Sequence, residues 1–429
     1  MTAKYSDTRP IDASFHHGTH RQLLQEVPLS DARQTRVDAL IVPTARPLSW
    51  LREAMELASK LGTGLVAMCS RAVKAAEAVE LGDAKGVAVV AVDVASEETY
   101  RLPMLLTTQL VKRTAFRRPG DTSTKRNLAL LLSRVAGWQR VFFVDDDIFD
   151  IKPSAARAAV GLLDQFDVVG MHNIGCPDNS VVCHVHRELE GDQDQFIGAG
   201  ALAVAPLVNQ SFFPSTYNQD WLYILGTGIP TRAAVTGQMK QKYYDPFADP
   251  DRARREELGD CLAEGLYWLL DHRLPVENAD DGHWRDFLSR RWYFIDHLIT
   301  HVRKGEWETG LRDRVVAALE VARAVSANIT PRLCAEYVRS WRTDLETWRR
   351  FIREQPVGLG VAEGLEHLNW PGVVQSDLKW PDADVNGVIG EDRLICRNGW
   401  RGTEQAPSPN GEPGRHPVPP PVTPTTARL

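Results

Sequence analysis

Between residues 37 and 173 short apolar runs alternate with longer stretches whose apolar residues recur at helical spacing. The runs are VDALIVPTA (37–45), TGLVAMCS (63–70), GVAVVAVDV (86–94), VFFVDDD (141–147) and DVVGMHN (167–173). Between them lie LSWLREAMELASKLG (48–62), an Ala-rich helix, DTSTKRNLALLLSRVAGW (121–138) and a helix over 153–163, with Gly62 and Gly137 as helix stops. Strands apolar throughout are buried on both faces, which a chain achieves by covering a mostly parallel sheet with the intervening helices. The expected class is therefore α/β, with a Rossmann-like sheet flanked by helices. Ligands of such sheets bind beyond the carboxyl ends of the strands. That singles out Pro43, Thr44, Ala45 and Arg46 after the first run, Asp93 after the third, and Asp145, Asp146 and Asp147 after VFFV.

The pattern changes on either side. Residues 1–35 are polar without a sustained period and read as an N-terminal arm laid over the surface. The alternating region closes near residue 250. Residues 251–360 contain amphipathic helices such as RARREELGDCLAEGLYWLLDH and LCAEYVRSWRTDLETWRRFI, a C-terminal helical appendage followed by an extension over 361–401. Residues 402–429 are rich in Pro and polar residues and read as a disordered tail.

A net charge of −6 argues against a general polyanion binder, so no nucleic-acid partner is expected, although a local basic pocket is compatible with it. No apolar run approaches the ~20 residues of a membrane span, and the start MTAKYSDTRP lacks a signal-peptide pattern; a cytoplasmic protein is expected. The scattered cysteines suit reduced thiols. One cluster, CPDNSVVCHVH (176–186), brings Cys176, Cys183, His184 and His186 close, but the spacing matches no familiar zinc knuckle, and the alternation across VVCHVHREL reads as a strand.

Three aspartates at the end of a buried strand repel one another unless a cation sits among them. A Walker B strand would need a G-x-x-x-x-G-K-[ST] loop, which is absent. One acid would read as a solvated cap; three in succession do not. Two carboxylates separated by one residue can reach one Mg²⁺ or Mn²⁺ from the same side and bridge it to phosphate oxygens.

The run TKRNLALLLSRVAGWQRVFFVDDDI (124–148) resembles the core of the GT-A-fold nucleotide-sugar glycosyltransferases, family-2-like members among them. In these a helix bearing an Arg-Asn pair precedes a strand ending in a D-x-D signature. The resemblance implies Asp145 and Asp147 as metal ligands, with Asp146 between them in the donor site, and Arg126 and Asn127, with Lys125 beside them, as the helix residues facing the donor. VDALIVPTARP resembles the family's first strand and turn, which carries Pro43, Thr44, Ala45 and Arg46 into the nucleotide site, and Asp93 matches an acid that contacts base or ribose. Gln219-Asp220-Trp221 resembles the Glu-Asp-aromatic acceptor motif, which implies Asp220 as the acceptor-side acid. The family's later metal-binding His has no counterpart here; VTGQMKQKYYDPF offers Gln238 and Gln241.

The expectation is a metal-dependent glycosyltransferase that moves a sugar from a nucleoside diphosphate sugar to a small-molecule or glycan hydroxyl. Two rivals stand beside it. A non-catalytic nucleotide-sugar or partner-binding module is motivated by Gln219 and the missing His, and a metal-dependent phosphotransferase would leave the K-R-N helix without a task.

Overall fold

The chain enters its sheet through β1 (Leu24–Glu26) and then alternates as the apolar periodicity requires. The first half runs β2 (Ala39–Thr44), α1 (Arg52–Leu61), β3 (Gly64–Cys69), α2 (Ala75–Lys85) and β4 (Val89–Asp93), then α3 (Leu106–Lys112) and α4 (Thr122–Ala136). It returns through β5 (Val141–Val144), β6 (Ile148–Phe149), α5 (Pro153–Gly161) and β7 (Val168–Asn173). There follow α6 (Val181–Glu188), β8 (Ala201–Val204), α7 (Gln219–Gly226) and β9 (Ala233–Gln241). The remainder is α8 (Asp251–Asp271), α9 (Asp281–Lys304), α10 (Thr309–Ser326), α11 (Pro331–Arg353), α12 (Gly360–Leu368) and β10 (Val373–Gln375). These elements come from a computed structural model that describes residues 15–118, 120–227 and 232–381. The tail at 402–429, residues 382–401 of the extension and residues 1–14 of the arm lie outside the described residues.

The strands form a mixed sheet in the order β1-β9-β7-β8-β5-β2-β3-β4-β10, with β6 paired to β9. β5, β2, β3 and β4 run parallel, as do β7, β9 and β1. β8 runs against both neighbours, joining the two parallel groups. The protein is thus α/β with a mostly parallel sheet flanked by helices. After β2 the chain moves outward through β3 and β4, then returns to place β5 on the other side of β2. This reversal is a topological switch point, and it opens a crevice between the carboxyl ends of β2 and β5.

Side chains alternate across the sheet as strand geometry demands. Leu40, Val42, Phe142 and Val144 face α1, α2 and α5 on one side. Ile41, Val66, Val141 and Phe143 face α4, α7, α8 and α11 on the other. The helical region therefore shares its apolar cluster with the sheet. A third cluster joins α6, α9 and α10. Helices α1 and α4 stop at Gly62 (φ 66°) and Gly137 (φ 83°), a left-handed conformation that glycine adopts without a Cβ clash. No helix of the described residues is long and apolar enough to cross a membrane.

Two expectations are corrected, and one strand is added. VVCHVHREL forms α6 rather than a strand: Val181, Val182, Val185 and Leu189 also satisfy a helical period, and they pack in the third cluster. The Ser180 hydroxyl caps this helix by accepting from the Cys183 amide at 3.4 Å. The described part of the arm is not merely laid over the surface, because β1 pairs with β9 and His16, His20 and Leu23 are buried. The extension supplies an unforeseen strand, β10, which closes the β4 edge; beyond it Trp380 stacks on Trp138 with centroids 4.9 Å apart.

Candidate functional site

The switch-point crevice opens into a cavity of about 580 Å³ lined by Thr44, Arg46, Asp145, Asp146, Asp147 and Arg252, among others. The three carboxylates are not equivalent. Asp146 is buried; its Oδ2 accepts from the Thr44 hydroxyl at 2.7 Å, and its Oδ1 accepts from Arg46. Asp147 accepts from Arg46 Nη2 at 3.2 Å and from the Gln241 side-chain amide at 3.3 Å. Asp145 is held by Arg126, whose Nη2 reaches both carboxylate oxygens at 2.8 and 3.0 Å. Its own amide donates to Gly200 O at 3.0 Å, which pins the triplet to the entry of β8.

Burial lifts the Asp145 carboxyl to about 7 against the pull of Arg126, and the neighbouring Asp147 and Asp146 add to the rise. Burial also raises Asp147, opposed by Arg46.

Arg46 approaches the Trp50 ring at 4.8 Å, and the Lys242 ammonium sits 4.1 Å from the same ring, so the turn after β2 is held on an aromatic platform. Lys125 is buried, and its three ammonium donors meet Thr44 O at 2.7 Å, Ser70 Oγ at 2.6 Å and Asp121 at 3.2 Å. Its contacts brace the β2 turn. Pro43 and Ala45 line the cavity with Thr44 and Arg46.

Two expected donor-site residues are not brought to the crevice. Asn127 is buried and locked to the backbone of Phe213, donating to its carbonyl at 2.9 Å and accepting from its amide at 2.8 Å. Asp93 accepts from the Ala75 amide at 3.0 Å, capping the start of α2, and it is crowded by Gly372. Neither residue lines this cavity or the one beside it.

A second cavity of about 640 Å³ adjoins the first, and Arg118, Asp145, Tyr217 and Gln241 line both. Asp220 faces this second space. It is not the cap of α7, which starts at Gln219 behind Asn218. Instead its Oδ2 accepts from the Ala199 amide at 2.9 Å. A Cβ on Gly198 would lie 2.5 Å from that same oxygen, so glycine there makes room for the carboxylate. Gln219 is buried beside it, and its Oε1 has no hydrogen-bond partner among the described residues. His172 and Asn173 also line this space; His172 lies 3.5 Å from Glu26, and Asn173 bonds Cys176 O and Gln241.

Sequence reasoning missed Arg118, Arg71 and Arg252, which line the first cavity. Arg118 donates to Thr216 O at 3.1 Å and lies 5.5 Å from the Tyr217 ring. It forms no ion pair among the described residues, and burial lowers its pKa against the pull of Glu256. The available signal was its place in FRRPGD, just ahead of the K-R-N helix. Arg252 was hidden in the helical region; its ion pair with Glu256 at 2.5 Å carries it to the crevice wall.

No protein-family model matches the chain, and no curated protein does. Among solved structures, one described as the crystal structure of a mycobacterial protein aligns over 56% of this chain and 76% of its own. That alignment has 18% identity and a TM-score of 0.35, too shallow a likeness to bear on function.

Proposed function

We propose that this chain is a metal-dependent glycosyltransferase of GT-A type that takes a nucleoside diphosphate sugar as donor and a hydroxyl compound as acceptor. The observation that carries the reading is the acidic triplet at the switch point. It lies in a cleft of nucleotide size, faced by Arg46 and Arg118 and continuous with a second space lined by Arg126 and Asp220.

The donor set suits a hard dication. Asp145 and Asp147 offer carboxylate oxygens one residue apart, and the Gln241 amide lies beside Asp147. Mg²⁺ or Mn²⁺ held there supplies Lewis-acid stabilisation of a leaving diphosphate. The protein's own residues do the rest. Arg118 and Arg126 place positive charge where the diphosphate departs, and Thr44 and Arg46 fix the turn that borders the nucleotide. Asp220 takes the proton of the acceptor hydroxyl, whose oxygen bonds the anomeric carbon as the bond from that carbon to the diphosphate oxygen breaks and the diphosphate leaves with the electron pair.

The test is to titrate UDP, GDP, ADP and dTDP with Mn²⁺ and follow thermal unfolding. One of them should raise the midpoint, since a ligand selective for the native state must. Asp147→Ala should abolish that shift and leave the far-ultraviolet spectrum unchanged. An absence of any shift with all four nucleotides would overturn the reading.

A further inference from the structure

The motif H-G-T-H over residues 17–20 lines neither cavity. It packs against the carboxyl end of α8. His17 Nδ1 and His20 Nδ1 both lie 2.6 Å from one oxygen, Asp271 Oδ2. The three donor atoms are within 4.8 Å of one another.

The groups behind these atoms are also held. His20 Nε2 faces Glu264 Oε2 at 3.3 Å, and Asp271 Oδ1 accepts from the Gln22 side-chain amide at 2.7 Å. The His20 ring packs edge-on to Trp221 at 5.3 Å. Gly18 makes the turn possible, because a Cβ there would sit 1.7 Å from Asp192 O. The His20 and Asp271 side chains are closed off, at 3% and 1% exposed, whereas His17 keeps 32% of its surface open.

We infer that His17, His20 and Asp271 form a binding site for a Zn²⁺-class dication, which fastens the segment leading into β1 to the end of α8. Two imidazoles and a carboxylate converging on one point are the ligand types that zinc prefers. Glu264 orients His20 so that Nδ1 faces the ion, and Gln22 does the same for Asp271, the outer-shell support that imidazole and carboxylate ligands require. Solvent on the open side of His17 completes a four-coordinate shell. The neighbouring group of His16, Cys183 and Glu264 is a poorer candidate. All three are buried, and His16 Nε2 is already paired with Gln193 at 2.7 Å.

The full-length protein, stripped with a chelator, should bind one equivalent of Zn²⁺ by calorimetry and gain thermal stability on doing so. Co²⁺ in its place should give visible absorption of the kind nitrogen ligation produces. His17→Ala, at a half-exposed position that tolerates truncation, should weaken binding by at least about tenfold, and Gln22→Ala should weaken it by about tenfold. Cys183→Ser should bind Zn²⁺ as the wild type does, which separates this site from its buried neighbour, and the Co²⁺ absorption should persist when excess Mg²⁺ occupies the carboxylates of the cleft, which separates the two sites. The inference is overturned if the wild type shows neither the Co²⁺ absorption nor a Zn²⁺-dependent stability gain. It is equally overturned if His17→Ala titrates like the wild type, or if Cys183→Ser is the variant that loses binding.

Discussion

Arg126 and Asp145 form a clamp in which one guanidinium nitrogen of α4 reaches both oxygens of the first acid after β5, at 2.8 and 3.0 Å. The Arg126 Nε is buried with no hydrogen-bond partner among the described residues, a donor that its protein neighbours leave unused. Arg126→Lys keeps the charge but removes the planar fork. We expect nucleotide affinity to fall by about 10- to 100-fold, the range for losing a charge-assisted hydrogen bond, with the fold retained. Calorimetric titration with Mn²⁺ and the nucleotide that binds the wild type measures it; an unchanged dissociation constant would remove Arg126 from the site.

Asp220 and Gly198 define a second relationship, since the carboxylate occupies the space that a side chain at 198 would fill. Asp220→Asn can still accept from the Ala199 amide, so the loop should stay in place while the basic group is lost. We expect turnover to drop by about 10²- to 10⁴-fold with donor affinity unchanged, the span typical of a positioned acid or base. Gly198→Ala should lower turnover in the same direction by displacing the carboxylate. Transfer rates measured at saturating donor decide it, and wild-type turnover in Asp220→Asn would exclude the acceptor role.

Asn127 was expected at the donor and is instead a brace for Phe213. Asn127→Ala leaves a buried amide and a buried carbonyl of residue 213 unpaired, which costs about 1–3 kcal/mol for each group. Urea unfolding should show this loss, whereas nucleotide affinity at temperatures where the variant is folded should match the wild type. Weakened binding in a fully folded Asn127→Ala would return the residue to the donor site.

His184 sets an acid limit on stability. Burial, with Arg252 and Arg187 nearby, lowers its pKa from 6.5 to about 3, and its Nε2 pairs with the Tyr244 hydroxyl at 2.8 Å. The folded pKa lies below the unfolded one, so the unfolded chain binds the extra proton between these values. The contribution is complete above 6.5 and is lost as pH falls toward 3, by up to about 1.4 kcal/mol per pH unit. His184→Gln should flatten the dependence of the urea midpoint on pH across that window. An equally steep profile in the variant would assign the acid sensitivity to other groups.

The parts of this protein that could be read from the chain alone are those encoded by local repetition. Leu40, Val42, Phe142 and Val144 mark doubly buried strands because both of their faces are covered, and Gly62 and Gly137 end helices through their own backbone freedom. The acidic triplet was legible for the same reason, as like charges in succession announce an electrostatic cost whatever surrounds them. Periodicity failed where one pattern satisfies two geometries, as in VVCHVHREL, and where a segment too short to show a period is held by distant partners, as in β10. Asp93 and Asn127 stand near the right strand end and helix in sequence, yet hydrogen bonds to Ala75 and Phe213 take their side chains elsewhere. Arg252 against Asn179 and the meeting of His17 and His20 with Asp271 lay beyond reach, since these partners are 73, 254 and 251 residues apart in the chain. The sequence by itself determined the layered α/β scaffold and the acidic strand end, because burial and like-charge repulsion act between residues close along the backbone. Which cations answer those acids, and which carboxylate faces the second cavity, was decided by the tertiary structure, because only the packing of β2, β5, α4 and α8 sets the distances on which charge interactions depend.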